Sequence, residues 1–262
     1  MLRTAAFLTA LPLAAATVGE TDRIIPLIHD GGGWSTQVTI VNLATKPAHI
    51  MAAFQTARGF QEAWKLTLTA TQGKVDAATF EATLAPGAVT IVETSGAPTE
   101  LTRGFADIIE FNDLPLGAFA RLIKRENGQV VQSLTVPRSP AHESRSVVAI
   151  DLSDPANSHE LIWVSPTTNT ILDLTFRSDT GAVILTDQIA FTRSQIIANV
   201  LLEWPRLAGF RGTLEWKVSF PTADRYEERI LAAASLWSRN GQSWASQNAL
   251  TLPGDQRSPS PY

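Results

Sequence analysis

Arg121-Leu122-Ile123-Lys124-Arg125-Glu126-Asn127-Gly128-Gln129, followed by Ser133-Leu134-Thr135-Val136-Pro137, is answered later by Ser235-Leu236-Trp237-Ser238-Arg239-Asn240-Gly241-Gln242 and Ala249-Leu250-Thr251-Leu252-Pro253. In both places an apolar run enters an Asn-Gly turn and a second run leaves it. This is the strongest short-range signal for a β-hairpin, because a type I′ turn needs positive φ at both central residues. The two turns stand 113 positions apart, the size of one small domain and well beyond a solenoid repeat of about 20–50 residues. The reading is a strand-built unit present twice.

Outward from the first hairpin, the same periodicity recurs. Trp34, Thr36, Val38 and Ile40 alternate with Ser35, Gln37, Thr39 and Val41, the period of two of a half-buried strand. Ala48–Thr56, Trp64–Thr71, Thr79–Leu84, Ala88–Glu93, Phe105–Phe111 and Ala118–Arg125 read as further strands, with Pro86-Gly87 as a turn. The second copy follows suit. Glu160–Val164 corresponds to the Trp34 strand, and Thr170–Arg177 to Ala48–Thr56 with Phe176 in the place of Phe54. Arg211-Gly212 repeats Arg103-Gly104, and the segment from Trp64 to Gly73 is an addition of the first copy. Helix signals are poor, with at most a turn or two over Ala198–Trp204 or Asp224–Ala234. The expected fold is all-β, two tandem antiparallel β-sandwich (Ig-like) domains. The divisions are a signal peptide over 1–16, domain 1 over 24–137, a linker over 138–145, domain 2 over 146–253 and a disordered tail over 254–262.

Composition narrows the function classes. The chain of 262 residues has room for two cores. Its net charge of −4 gives no broad footprint for nucleic acid or an anionic membrane. It has no cysteine, which removes disulfides, thiolate nucleophiles and thiolate metal sites. Arg3, the apolar stretch Ala5–Ala16 and the Ala14-Ala15-Ala16 cleavage pattern compose an export signal. The mature protein is therefore expected to be secreted, periplasmic or at the cell surface, with no stable membrane span once the signal is removed.

His29-Asp30-Gly31-Gly32-Gly33-Trp34-Ser35-Thr36-Gln37 with Val41-Asn42, Leu84-Ala85-Pro86-Gly87-Ala88 and Glu93-Thr94-Ser95-Gly96 resembles a domain of secreted bacterial proteins of acidobacterial type. The resemblance spans nearly all of the mature chain and implies tandem extracellular β-modules. The family has no assigned activity, so it implies no catalytic residue. The second copy departs from the pattern: it lacks the three-glycine opening and carries Asp151, Asp154 and Pro155 in the corresponding loop.

Candidate chemistry is sparse. His29, His49, His142 and His159 show no metal-ligand spacing. Asp30-Gly31-Gly32-Gly33 reads as a loop tight enough to need glycine dihedrals, with Trp34 beneath it. Asp151, Asp154 and Asn157 are oxygen ligands close in sequence, a calcium candidate without EF-hand spacing. Glu93, Asp107, Glu110, Glu215, Glu227 and Glu228 supply carboxylates for a hydrolase without any accompanying nucleophile motif. Of seven tryptophans, Trp204 and Trp244 are expected to face solvent as binding anchors. No catalytic residue and no cofactor are assigned. The expectation is a non-catalytic exported structural or interaction module whose partner is a protein or a surface polysaccharide. A carbohydrate-binding module using exposed tryptophans and a secreted hydrolase are the alternatives.

Overall fold

The computed structural model describes residues 23–59, 62–71, 73–139, 145–166, 168, 170–219, 232–239, 243–248 and 250–251. The segment 1–16 read as an export signal, the tail over 254–262, His142, Glu227 and Glu228 lie outside the described residues.

Strands β1 (Arg23–Asp30), β2 (Trp34–Asn42), β3 (Ala48–Thr56), β4 (Leu66–Ala70) and β5 (Gly73–Ala77) open the first unit. It continues through β6 (Thr79–Leu84), β7 (Val89–Thr94), β8 (Thr102–Glu110), β9 (Leu116–Glu126) and β10 (Gln129–Pro137). Two antiparallel sheets result, in the orders β1-β8-β3-β6 and β10-β9-β2-β7-β4-β5. The second unit begins with β11 (Arg145–Asp151), β12 (Asn157–Val164), β13 (Ile171–Ser178), β14 (Val183–Ala190) and β15 (Gln195–Asn199). A one-turn helix α1 (Val200–Glu203) and a 3₁₀ turn over Pro205–Leu207 follow, then β16 (Arg211–Ser219), β17 (Ala232–Arg239), β18 (Ser243–Asn248) and β19 (Leu250–Thr251). Its sheets run β14-β13-β16-β11-β19 and β15-β12-β17-β18.

The two topologies coincide strand for strand. β1-β8-β3-β6 matches β11-β16-β13-β14, and β10-β9-β2-β7 matches β18-β17-β12-β15. The hairpin β4–β5 is peculiar to the first unit, where the Trp64–Gly73 addition lies. The duplication extends to single atoms. A Cβ on Gly104 would lie 2.2 Å from the Gln55 carbonyl oxygen, and one on Gly212 would lie 1.9 Å from that of Arg177. In both units only glycine lets the returning strand come this close to the residue after the core phenylalanine, Phe54 or Phe176. The Asn-Gly hairpin behaves as its chemistry requires: Asn127 has φ 52° and Gly128 φ 79°, the two positive values of a type I′ turn.

Each unit has its own core. Val38, Ile40, Ile50, Phe54, Leu68 and Ile108 are fully buried in the first, and Trp163, Leu174, Phe176 and Trp216 in the second. Trp163 meets Trp216 edge to face with centroids 5.9 Å apart. The units are not independent beads, however. Ile162 and Leu236, on the outer face of the β15-β12-β17-β18 sheet, join the first unit's core. Val164 and Ala232 form a smaller cluster with Ile24 and Phe105. That sheet is therefore covered on both faces, by its own unit and by the neighbour. It closes the side of the first sandwich where edge strands β1 and β10 lie.

Polar contacts fix the junction. A register shift between Ile25 and Ile28 takes Pro26 out of the β1–β8 ladder, and Gln195 Nε2 donates to the Pro26 carbonyl at 2.6 Å and that of Gly104 at 2.9 Å. The backbone N–H groups of Ser194 and Gln195 donate to Arg58 and Ala57. Ser139, at the start of the linker, donates its N–H to Ile24 and accepts on Oγ from the Ala233 N–H.

Candidate binding face

Trp204 does not face solvent. The turn Trp204–Pro205 folds back over the β13–β14 edge, leaving the indole 5% exposed against Phe176, with its Nε1 donating to Asp187 Oδ2 at 2.6 Å. That hydrogen bond, with a second from the Gln188 N–H, holds the Asp187 carboxyl below the usual carboxylate range. The short helix supports this arrangement: Asn199 Oδ1 caps it by accepting from the N–H groups of Leu201 and Leu202. The expectation of Trp204 as a binding anchor is thus overturned, because the residue before Pro205 turns inward. The backbone of Trp244 lies opposite Ser238 in the β17–β18 ladder, and its side chain lies outside those described. Among the other tryptophans, Trp163 and Trp216 are buried, and Trp34, Trp64 and Trp237 are half-buried.

The calcium candidate resolves into a self-contained turn. Asp151 Oδ1 accepts from the Ser153 N–H and hydroxyl, and Asp154 Oδ1 accepts from the Ala156 N–H. Asp154 Oδ2 pairs with Arg239 at 2.8 Å, and Asn157 Nδ2 donates to the Asp151 carbonyl. A guanidinium occupies the place beside Asp154 where a cation would go. His159 Nε2 accepts from the Asp151 N–H, and burial lowers the pKa of its ring. Among the described residues no three His, Asp or Glu side chains come together around a metal-sized space.

The candidate carboxylates are dispersed. Glu93 accepts from Ser35 and Gln37 and pairs with Arg125 at 3.1 Å. Glu215 is held between Arg145 and Arg177 in the second unit. Glu110 is buried and accepts from the Asn112 and Leu114 N–H groups. Asp107, three residues before it on the same strand, lies on the opposite face of that sheet. The glycine opening is structural: Gly31, Gly32 and Gly33 all have positive φ, and a Cβ on Gly31 would lie 2.1 Å from the Glu100 carbonyl oxygen.

Two features of the structure carry no motif in the sequence. The first is a cavity of about 40 Å³ at the junction, lined by His29, Trp34, Arg103, Leu122 and Leu134 of the first unit and Glu160 and Leu236 of the second. His29 is 5% exposed, meets Trp34 edge to face, and has no hydrogen-bond partner on either ring nitrogen. Burial first, and the Arg103 charge second, lower its pKa to about 3, so the ring is neutral over the ordinary pH range.

The second is an apolar half-face on the outside of the six-stranded sheet. The ladders set Ile91 opposite Thr39 and Thr39 opposite Phe119 in one row. The next row sets Val89 opposite Val41 and Val41 opposite Gly117. Leu43 reaches over Gly117. Leu43, Val89, Ile91 and Phe119 are 62%, 55%, 48% and 38% exposed, too many adjoining apolar side chains for scattered surface residues. Beyond them the same face turns polar, with Gln37, Glu93 and Arg125 hydrogen-bonded together and Arg121 Nε donating to Ser133. Period-two alternation predicts that these side chains point outward. It misses that they adjoin, because adjacency depends on the register of three strands.

No protein-family model and no curated protein matches the chain. Two solved structures align with it. One is a biofilm-associated protein B domain, at 9% identity and TM-score 0.21, covering 87% of this chain and 81% of that one. The other is the pilus backbone RrgB from Streptococcus pneumoniae, at 13% identity and TM-score 0.16, covering 85% and 83%. Scores this low carry no weight for fold or function, and the architecture stands on the strand ladders themselves. No helix among the described residues is long and apolar enough to cross a membrane.

Proposed function

We propose that this chain is a non-catalytic, exported interaction module, and that the half-face of Leu43, Val41, Val89, Ile91 and Phe119 docks a protein partner. The observation that carries this reading is the two-row adjacency of apolar side chains left in water on the outer face of the six-stranded sheet. A protein suits it better than a polysaccharide. The rows are aliphatic with one phenylalanine, whereas sugar recognition by stacking calls for flat aromatic rings, and every tryptophan with a described side chain is buried or half-buried. Export and a place in the cell envelope rest on the Arg3 and Ala5–Ala16 signal and on the resemblance of the His29–Gln37 opening to secreted bacterial domains. The ion-paired or hydrogen-bonded state of Glu93, Asp154, Asp187 and Glu215 favours a structural role for these carboxylates over catalysis.

The test is retention of the labelled mature chain on an extracellular-matrix fraction of the producing cells, treated with protease or with periodate. Binding that is lost after protease, survives periodate and falls about tenfold in Ile91→Lys and Phe119→Asp supports the reading. Loss after periodate alone points to a polysaccharide. Binding indifferent to both substitutions removes the half-face from the account.

A further inference from the structure

Small-molecule sites form preferentially where two folded units meet, in apolar hollows with a few convergent polar groups. The junction cavity of about 40 Å³ has that make-up. Trp34, Leu134 and Leu236 give it apolar walls, and three polar side chains line it: His29, Arg103 and Glu160. His29 is held from several sides. Its backbone N–H donates to Thr36 Oγ1 at 2.8 Å, and its carbonyl accepts from the same hydroxyl at 2.8 Å and from that of Thr94 at 3.2 Å. The Trp34 indole meets the ring edge to face with centroids 5.2 Å apart. The ring is thus fixed in place while both of its nitrogens lack a partner.

Arg103 stands opposite His29 in the β1–β8 ladder, so the two side chains rise on one face of that sheet. Glu160 comes from the other unit, opposite Leu236 in the β12–β17 ladder. Arg103 and Glu160 line the same space, yet among the described residues they form no ion pair with each other. Arg103 is exposed and Glu160 half-buried, so the charged part of the cavity can be reached from solvent. The neutral imidazole completes the set, because it offers one donor nitrogen and one acceptor nitrogen at once.

We propose that this cavity binds a small zwitterion, an α-amino acid of the size of glycine or alanine. The ligand carboxylate accepts from Arg103 and from the protonated nitrogen of His29. Its ammonium group donates to Glu160 and to the bare nitrogen of the same ring. A plain anion would face the Glu160 carboxylate, and a plain cation the Arg103 guanidinium; a molecule with both charges a few bonds apart answers both. The size agrees. One water needs about 10–15 Å³ of such space and stands for about 30 Å³ of liquid, so the cavity takes about three waters, or about 90 Å³ of ligand, close to one small amino acid. Because Glu160 and Leu236 belong to the second unit, the site is whole only while the two units are docked, and an occupant reinforces the junction. The Phe119 half-face and its docking role have no part in this site.

The test is calorimetric titration of the mature chain at neutral pH with glycine, L-alanine, acetate and methylammonium. Glycine or L-alanine is expected to bind saturably, and acetate and methylammonium at least about tenfold more weakly, since each lacks one of the two charges. Arg103→Gln and Glu160→Gln, made singly, should each raise the Kd for the amino acid at least about tenfold, while Phe119→Asp leaves it unchanged. No saturable heat from either amino acid up to about 50 mM overturns the proposal and leaves the cavity to water. So does acetate bound as tightly as glycine, which would make an anion site with no use for Glu160, and so does amino-acid binding indifferent to both substitutions. A rise in thermal midpoint that never saturates and is shared by Glu160→Gln is exclusion of the solute from the protein surface, and it too counts against the site. If a variant fails to fold, the order of the four probes on the wild type decides alone.

Discussion

A neutral imidazole removed from water with neither nitrogen paired has lost its hydration without replacement, and a charged one would lose far more. His29 is in that position, beside the Arg103 guanidinium and across from Glu160 at the junction of the units. Its pKa falls from 6.5 to about 3 on folding. Above pH 6.5 the ring is neutral in both states and its contribution to stability is complete. Between those two values the unfolded chain takes up a proton that the folded chain refuses. Stability therefore declines as pH falls, by about 1.4 kcal/mol per unit and about 5 kcal/mol over the whole interval. Urea unfolding at about pH 7.5 and about pH 5 should show a loss larger by on the order of 2 kcal/mol in the wild type than in His29→Leu, where the lowered pKa of His159 leaves a residual decline. Equal slopes in the two proteins would mean that the ring finds a partner or water when charged.

At the scale of strands, the ladders place glycine where two backbones nearly touch, and they do so twice. Gly212→Ala sets a methyl group 1.9 Å from the Arg177 carbonyl oxygen, which is backbone and cannot swing aside. Either β13 or β16 must shift at the end of its ladder. The expected cost is about 2–4 kcal/mol, read from the urea midpoint, with Gly104→Ala similar in the first unit. A change under about 0.5 kcal/mol would show the strand ends to be loose.

Both glycines were legible as part of the repeated Arg-Gly pair, as were the hairpins, the alternating strands and the β4–β5 addition. These are local signals, carried by a period of two and by turn chemistry. Partner faces were harder to read. Leu161-Ile162-Trp163-Val164 is an unbroken apolar run, and such a run marks a strand buried on both sides. Together with Ala232-Ala233-Ala234 it signals the docked junction, though only when both runs are known to be neighbours in one sheet. Trp204 was misread because Pro205 suggests an exposed turn, while the direction of that turn is set by Phe176 and Asp187, distant in sequence. The apolar half-face escaped for the same reason: Val89, Val41 and Gly117 become neighbours only through register.

For the molecule as a whole, the decisive matter is whether two cores joined through a shared sheet unfold as one. Ile162 and Leu236 belong to the second unit by chain and to the first by contact. Gln195 supplies donors to carbonyls that the β1 bulge and the Gly104 approach leave facing the junction. Unfolding the second unit would uncover Ile24, Phe105 and the β1 and β10 edges, so the first unit depends on its neighbour for part of its own burial. The wild type should therefore unfold in a single calorimetric transition whose van't Hoff and calorimetric enthalpies agree. Ile162→Glu places an unpaired carboxylate in that contact without touching the inward face of β12, where Leu161 and Trp163 sit. It should lower the first midpoint and split the transition in two, the later one reporting whichever unit retains a complete core. Two transitions in the wild type would show that the junction adds less free energy than either core and that the sandwiches act as separate bodies. A rigid junction matters to the proposed role, because it holds the Phe119 half-face at a fixed orientation to the second unit.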